Sequence, residues 1–307
     1  MLCGCEIEFD KSMADKIITR TVRPGSPAEL KAFILAAWPE MSGNRVNGLL
    51  RRGQVMLRNK VESQFNAEVH DGDEVSINFT RPYVMLRHQR LEAVYEDADI
   101  LVINKGYGLL SVSRGAVKHE ATAYNIVKDY LKECDPRQKV FIVHRLDRDT
   151  SGLMMFAKTA ESKEAMQHNW NNMVLERRYV AVVEGNVAQD EGVISSYLGE
   201  TSAHEVYSTQ NPELGKLAVT RYKVLARGCG RTLVEYSLDT GRKNQIRVHS
   251  RELGHPIVGD RRYGAAASPI GRLALHARTL RFVHPVTHRD MNFNTPVPAK
   301  FLKLIGK

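Results

Sequence analysis

Three features of the sequence predict an α+β protein in which a small front module precedes a larger body. The chain has 307 residues, enough for two domains at about 150 residues each. Its apolar runs follow both strand-like and helix-like periods, without the strict βαβ rhythm of a parallel sheet. The texture also changes near residue 90, from short elements to longer ones. Residues 1–82 are assigned to the module, 83–90 to a linker and 91–307 to the body.

The module opens on a helix over 27–38, with Ser26 placed to cap it and Pro27 suited to the first helical position. A second, short helix spans 45–52 and stops at Gly53. Strands follow at 54–57 and 74–78, the latter entered through the turn Asp71-Gly72-Asp73. In the body, strand-like runs at 101–104 and 140–143 flank a helix over 123–133. A further apolar run covers 153–157, a helix covers 161–170, and alternating strands cover 179–184 and 232–238. Asn244 is placed to cap a helix running to Leu253, which Gly254 and Pro256 stop. On it, Ile246 and Leu253 would face the core, while Arg247 and Arg251 would share one side.

Hydrophobic residues at 43% and charged residues at 26% set aside a disordered or fibrous chain. No run of eighteen apolar residues is present to span a membrane, and residues 1–15 lack the apolar core of a secretory signal. Cys3 and Cys5 sit too close for a zinc knuckle; with Cys134 and Cys229 they read as reduced thiols of a cytoplasmic protein. His276, His284 and His288 have no metal-site spacing, and no nucleotide-cofactor motif appears, so neither metal nor cofactor is expected. The net charge is +9, which favours a polyanionic partner. Residues 1–82 hold eleven basic and eleven acidic side chains, so the whole excess belongs to the rest of the chain.

The sharpest local feature is the run His144-Arg145-Leu146-Asp147-Arg148-Asp149-Thr150-Ser151-Gly152-Leu153. Its Asp-Thr-Ser-Gly content marks a tight connection between two apolar strands. Two carboxylates stand among side chains that are or can become cationic. An ionised carboxylate in such a field can act as nucleophile or base, and it can equally cap a turn. Spacing alone does not choose between Asp147 and Asp149.

This run resembles the signature of the RluA-type pseudouridine synthases, and further blocks follow in that family's order. Residues 104–110 (NKGYGLL) resemble its early segment, with Gly106 where Pro is usual. Arg178-Tyr179-Val180-Ala181 resembles its tyrosine block. Residues 240–249 (TGRKNQIRVH) match a third, with Lys243-Asn244 in place of Thr/Ser-His. Residues 254–260 (GHPIVGD) and Leu275-His276-Ala277 also match.

The resemblance implies a mixed, largely antiparallel sheet and an isomerase that detaches uracil from ribose, turns it and rejoins it through a ring carbon. It implies Asp147 as the essential carboxylate, Arg247 as its paired cation, Tyr179 as the residue packed on the base and Arg145 as the arginine that meets the RNA when the uridine flips out. Arg242, just ahead of the expected cap, is placed to reach a phosphate. Arg45, Arg51, Arg52, Arg58 and Lys60 fall in an acid-free stretch that resembles an S-four-type RNA-binding module. The implied partner is structured RNA: large-subunit ribosomal RNA when such a module is present, transfer RNA as the alternative, bound by a monomer. A non-catalytic RNA-binding or ribosome assembly factor and a carboxylate glycosidase are the competing classes; the latter normally needs two separated acids.

Overall fold

The computed structural model describes residues 16–307, apart from 81, 84, 85, 87, 114–120 and 267. The expectations for residues 1–15, including Cys3 and Cys5, lie outside the described residues.

A four-stranded antiparallel sheet organises the front of the chain. β1 (Ile17–Thr21) leads into α1 (Leu30–Ala37) and α2 (Gly43–Arg51), followed by β2 (Val55–Leu57), β3 (Lys60–Val61) and β4 (Glu74–Asn78). The strand order is β1-β4-β2-β3. α2 starts where the Ser42 side chain accepts the Arg45 amide, and it buries Val46, Leu49 and Leu50 along one face. These side chains close a core with Leu30, Phe33, Ile34 and Trp38 from the first helix and Val55, Val75 and Ile77 from the sheet.

Two expectations for this region need correction. α1 begins at Leu30 rather than Pro27, because Ser26 accepts the Arg23 amide at 3.2 Å and closes a turn instead of capping. Glu29 then stays extended, bridged to Glu68. Two strands are also additional. β1 is an edge strand exposed along nearly its whole length, so it carries no apolar signature. β3 follows β2 through Arg58 and Asn59, both left-handed at φ 51° and 60°, as a two-residue type I′ hairpin requires.

The body starts with β5 (Leu91–Glu96), β6 (Ile100–Lys105), α3 (Ala123–Cys134), β7 (Phe141–Ile142) and β8 (Ser151–Ala157). Next come α4 (Ala160–His168), α5 (Trp170–Met173), β9 (Val174–Glu184), β10 (Glu191–Glu200), β11 (Val206–Thr209), β12 (Lys216–Gly228) and β13 (Arg231–Leu238). It ends with α6 (Gln245–Glu252), β14 (Leu275–Val283), β15 (Asp290–Asn294) and α7 (Ala299–Leu304). Among the described residues these strands make one eleven-stranded sheet along the path β11-β10-β12-β13-β9-β14-β8-β6-β5, with β15 and β7 attached to β14 and β8. The sheet is mixed and largely antiparallel. Its one parallel pairing among the described residues, β14 with β8, joins the two halves.

All seven residues of β8 are buried, which explains an apolar run without polar alternation. Met154 and Phe156 face Val127, Tyr130 and Leu131 of α3. Leu153 and Met155 point the other way, towards Met166 of α4 and Phe282. The helix expected over 161–170 breaks at Asn169, so that α5 restarts at Trp170. That break sets the Trp170 ring against His144, with centroids 5.2 Å apart.

At the seam, His276 pairs with Ser151 and Ala277 with Gly152. Gly152 has φ +117°, and a Cβ there would stand 2.1 Å from the Ala277 carbonyl oxygen. Only glycine lets β14 come this close. Gly152→Ala should therefore cost about 3 kcal/mol or more of stability, read as a fall in the urea midpoint. A midpoint equal to wild type would show that the seam can spread freely.

Candidate active site

The loop between β7 and β8 is the first wall of a cavity of about 520 Å³. Leu146 anchors it: the Leu146 amide donates to Ser111 Oγ at 3.1 Å, and Ser111 Oγ donates to the Leu146 carbonyl at 2.7 Å. Thr150 closes the turn by donating its amide to the Asp147 carbonyl at 3.2 Å. The loop lies over Lys105, whose side chain is fully buried and donates to the carbonyls of Gly106 (3.0 Å), Leu109 (2.8 Å) and Arg148 (3.1 Å). Three acceptors match the three N–H groups of an ammonium. Burial pulls the Lys105 pKa down to about 7, while Asp149 and Asp147 pull the other way.

The two carboxylates of the loop differ in surroundings. Asp149 is held by Arg148, with Nε and Nη2 donating at 3.1 and 3.2 Å, and it does not line the cavity. Asp147 does line it, half-buried, and its carboxylate has no hydrogen bond or ion pair among the described residues. His144 forms the loop's other end. Its Nε2 accepts the Met155 amide at 3.0 Å, so the ring is neutral with its proton on Nδ1. Burial, helped by Arg177, lowers its pKa to about 3.

β9 supplies the second wall through Arg177 and Tyr179, which alternation places on one face. Tyr179 is half-buried against the core on both sides of the seam. Burial pushes its phenol pKa up, Arg177 opposes the shift and Asp147 adds to it. The third wall is the connection from β13 to α6. Arg242 stands there on the rim, its Nε donating to the Leu217 carbonyl at 3.0 Å and its amide to Gln245 Oε1 at 2.9 Å. Arg145 is an exposed rim residue.

Arg247 requires a correction. Its fork is not on Asp147; Nε and Nη2 each donate at 2.7 Å to the two oxygens of Asp260, which is almost completely buried. Nη1 donates to Asn244 Oδ1 at 3.1 Å, and the guanidinium lies 4.8 Å from the centre of the Tyr263 ring. Burial alone would lower the Arg247 pKa, but the bonds and charge of Asp260 outweigh it and the net shift is upward, with Asp147 adding a smaller pull. Asn244 also departs from expectation. It adopts a left-handed conformation at φ 55° and makes no side-chain cap; its amide instead donates to Tyr263 Oη at 3.0 Å. Arg247 turns inward while Arg251 is exposed, so the two do not share a side.

Asp147, Arg145, Tyr179, Arg242 and Arg247 thus meet at one cavity. The basic residues of the front sheet lie elsewhere: Arg45, Arg51, Arg58 and Lys60 are exposed there. Arg52 is the exception, half-buried, with Nε donating to Gln54 Oε1 at 2.6 Å and with Asp97, Tyr95 and Glu96 of the body in its field. Trp170, Asn171 and Arg177 also line the cavity and were not singled out from sequence. For Arg177 the signal was present, since it stands two residues before Tyr179 on a strand. His284, which had no metal-type spacing, comes together with Asp97 and Asp99, one donor-type atom from each lying within 4.8 Å of the others. Its Nδ1 accepts the amides of Val286 and Thr287, so Nε2 carries the proton and donates to Asp97 at 2.9 Å. Protein donors and acceptors thus occupy both ring nitrogens.

The carboxylate loop thus stands on one side of the parallel seam and the tyrosine strand on the other. Residues 99–252 match the sequence model of the RNA pseudouridylate synthase family. The chain is 39% identical over 215 residues to the uncharacterized RNA pseudouridine synthase YjbO of Bacillus subtilis (strain 168), covering 70% of this chain and 75% of that one. It is 30% identical over 312 residues to the ribosomal large subunit pseudouridine synthase D of Escherichia coli (strain K12), covering 95% of each. Among solved structures, human RNA pseudouridylate synthase domain containing 1 aligns at TM-score 0.55 and 27% identity, over 70% of this chain and 86% of that one. This chain belongs to the RNA pseudouridine synthase family and is an isomerase acting on RNA.

Lys105 gives the site a pH signature. Unfolded, it keeps its proton up to the ordinary lysine value of 10.5. Between about pH 7 and that value the unfolded chain therefore binds more protons than the folded one, and stability rises with pH. Urea unfolding at stepped pH should show wild type gaining on Lys105→Met across this window. Parallel curves would show that the buried ammonium does not release its proton.

Proposed function

We propose that Asp147 is the catalytic carboxylate and acts on the ribose of a uridine flipped into the cavity, as nucleophile or as base. The observation that carries this reading is a half-buried carboxylate with no ion pair among the described residues, facing a cavity that Tyr179 and several arginines line. An anion whose oxygens no hydrogen bond or ion pair ties up, in a half-dry site, is reactive towards an electrophilic sugar carbon or an acidic sugar proton. Tyr179 packs against the base. Arg145 and Arg242, exposed on the rim, meet the RNA backbone as the base leaves the stack. Arg247 serves from behind as a fixed cation whose orientation Asp260 sets.

The substrate we infer is large-subunit ribosomal RNA, supported by the relative of that activity aligned over 95% of this chain. Residues 1–82 are proposed as an S-four-like RNA-binding module, 83–90 as the linker and 91–307 as the catalytic domain. The support is the exposure of Arg45, Arg51, Arg58 and Lys60 on α2 and the β2–β3 hairpin. Arg52 is assigned instead to the junction with the body.

Asp147→Asn should lower tritium release from RNA labelled at carbon five of uridine by at least about 10³-fold, with RNA binding retained. Turnover in that variant would move the catalytic role elsewhere. Replacing Arg45, Arg51, Arg58 and Lys60 together by Gln should leave turnover at saturating RNA unchanged. It should also flatten the plot of log affinity against log salt by about 0.7 to 0.9 for each phosphate that is no longer neutralised. An unchanged slope would remove the module from the RNA-binding surface.

A further inference from the structure

Arg177 has no role in the reading above, yet it stands in the cavity wall as a charge without an ion-pair partner among the described residues. No carboxylate lies within 4 Å of it among the described residues. The acid whose field reaches it, Asp239, is already clamped by Arg221, with Nε 3.3 and 3.1 Å from its two oxygens and Nη2 3.0 Å from one of them. Its own hydrogen bond is a long one, Nη2 to the Leu238 carbonyl at 3.4 Å. Burial lowers its pKa, which is the mark of a cation taken partly out of water without full compensation.

Its orientation is nonetheless fixed. The guanidinium lies 5.7 Å from the centre of the Trp170 ring, a cation–π distance, and Trp170 is in turn braced by His144. On the other side, Gly241 leaves the room it needs: a Cβ there would stand 2.7 Å from Nη1. A neutral His144 adds no competing charge. A planar fork held in place, half-dry and not neutralised, suits a bidentate oxyanion.

We propose that Arg177, seated on Trp170, is the binding site for a phosphodiester group of the flipped nucleotide. The position fits this ligand better than the uracil ring. Tyr179, the residue read as packing on the base, lies one strand repeat further along the same face of β9, about 7 Å away. A separation of that size is the reach from a base to its own backbone phosphate. The proposal rests on the assignment of this cavity as the uridine site, and the two can fail separately.

The protein carries its own reporter for the test. It has two tryptophans, and Trp38 is buried in the front core with an indole N–H that has no acceptor. Trp38→Phe therefore forfeits no hydrogen bond and leaves Trp170 as the sole tryptophan. In that full-length background, quenching of Trp170 is titrated with uridine and with uridine 3′,5′-bisphosphate. The bisphosphate should bind about tenfold or more tighter than uridine. That preference should vanish in Arg177→Gln and survive in part in Arg177→Lys, while uridine itself binds all three proteins alike. Equal binding of the two probes to the Arg177 protein, or an undiminished preference in Arg177→Gln, would overturn the proposal. Turnover by Asp147→Asn would instead overturn the assignment of the cavity and leave the phosphate comparison standing.

Discussion

The site depends on one short junction, the parallel pairing of β8 with β14 at Gly152 and Ala277. On one side of it hang β6 and β5; on the other lie β9, β13, β12, β10 and β11. The Asp147 loop enters from the first half, immediately before β8, whereas Arg177, Tyr179 and Arg247 come from the second. Antiparallel neighbours can be joined by a hairpin, but a parallel pair brings together segments far apart in sequence. Here two residue pairs carry that join, and the close approach at Gly152 sets the distance between the carboxylate loop and the tyrosine strand. Core packing then holds both halves rigid: α3 and α4 cover opposite faces of β8, and Tyr179 touches apolar clusters from each half.

Charge within this frame is divided between groups that are neutralised by the fold and groups that are not. Arg247 is neutralised by Asp260, and such a buried pair stabilises little once desolvation is counted. What it provides is direction: two bonds to Asp260, one to Asn244 and the Tyr263 face leave the guanidinium no alternative orientation. Asp149 is likewise engaged by Arg148. Asp147 and Arg177 have no ion-pair partner within 4 Å among the described residues, one anionic and one cationic, in walls of the same cavity. In the roles proposed for them, these are the two side chains left for a nucleotide to satisfy, with its electrophilic sugar and its anionic phosphate.

Much of this was legible in the sequence, and the exceptions share a cause. The loop around Asp147, the helix α3 and the apolar run of β8 announce themselves through local pattern or turn chemistry, whereas the start of α6 was placed correctly at Asn244 through a side-chain cap that the residue does not make. Asp147 could not be preferred over Asp149 from spacing, because the difference is which one the adjacent Arg148 captures. Arg247 was expected opposite Asp147 because nothing local points to Asp260, thirteen residues on in the chain. Trp170 was placed at the end of a helix, and only the break at Asn169 turns it to the cavity. At Ser26 a local bond to Arg23 won over the capping geometry that the residue type suggests.

The departures from the family pattern can be understood in the same terms. Gly106 stands where Pro is usual, and its amide donates to the Arg90 carbonyl at 2.7 Å, a bond that proline could not make. Asn244 occupies a left-handed position that asparagine tolerates better than most residues, and from there it ties Arg247 to Tyr263. Lys243 reaches across to Glu200 and to the His204 carbonyl, and Arg262 reaches the same carbonyl. These bonds fasten the turn between β10 and β11 to the rim of the cavity. None of the three substitutions touches the Asp147 carboxylate. Lys243 and Asn244 alter what braces the entrance of the cavity, whereas Gly106 lies outside its lining, so the carboxylate loop keeps the family pattern while the rim becomes particular to this chain.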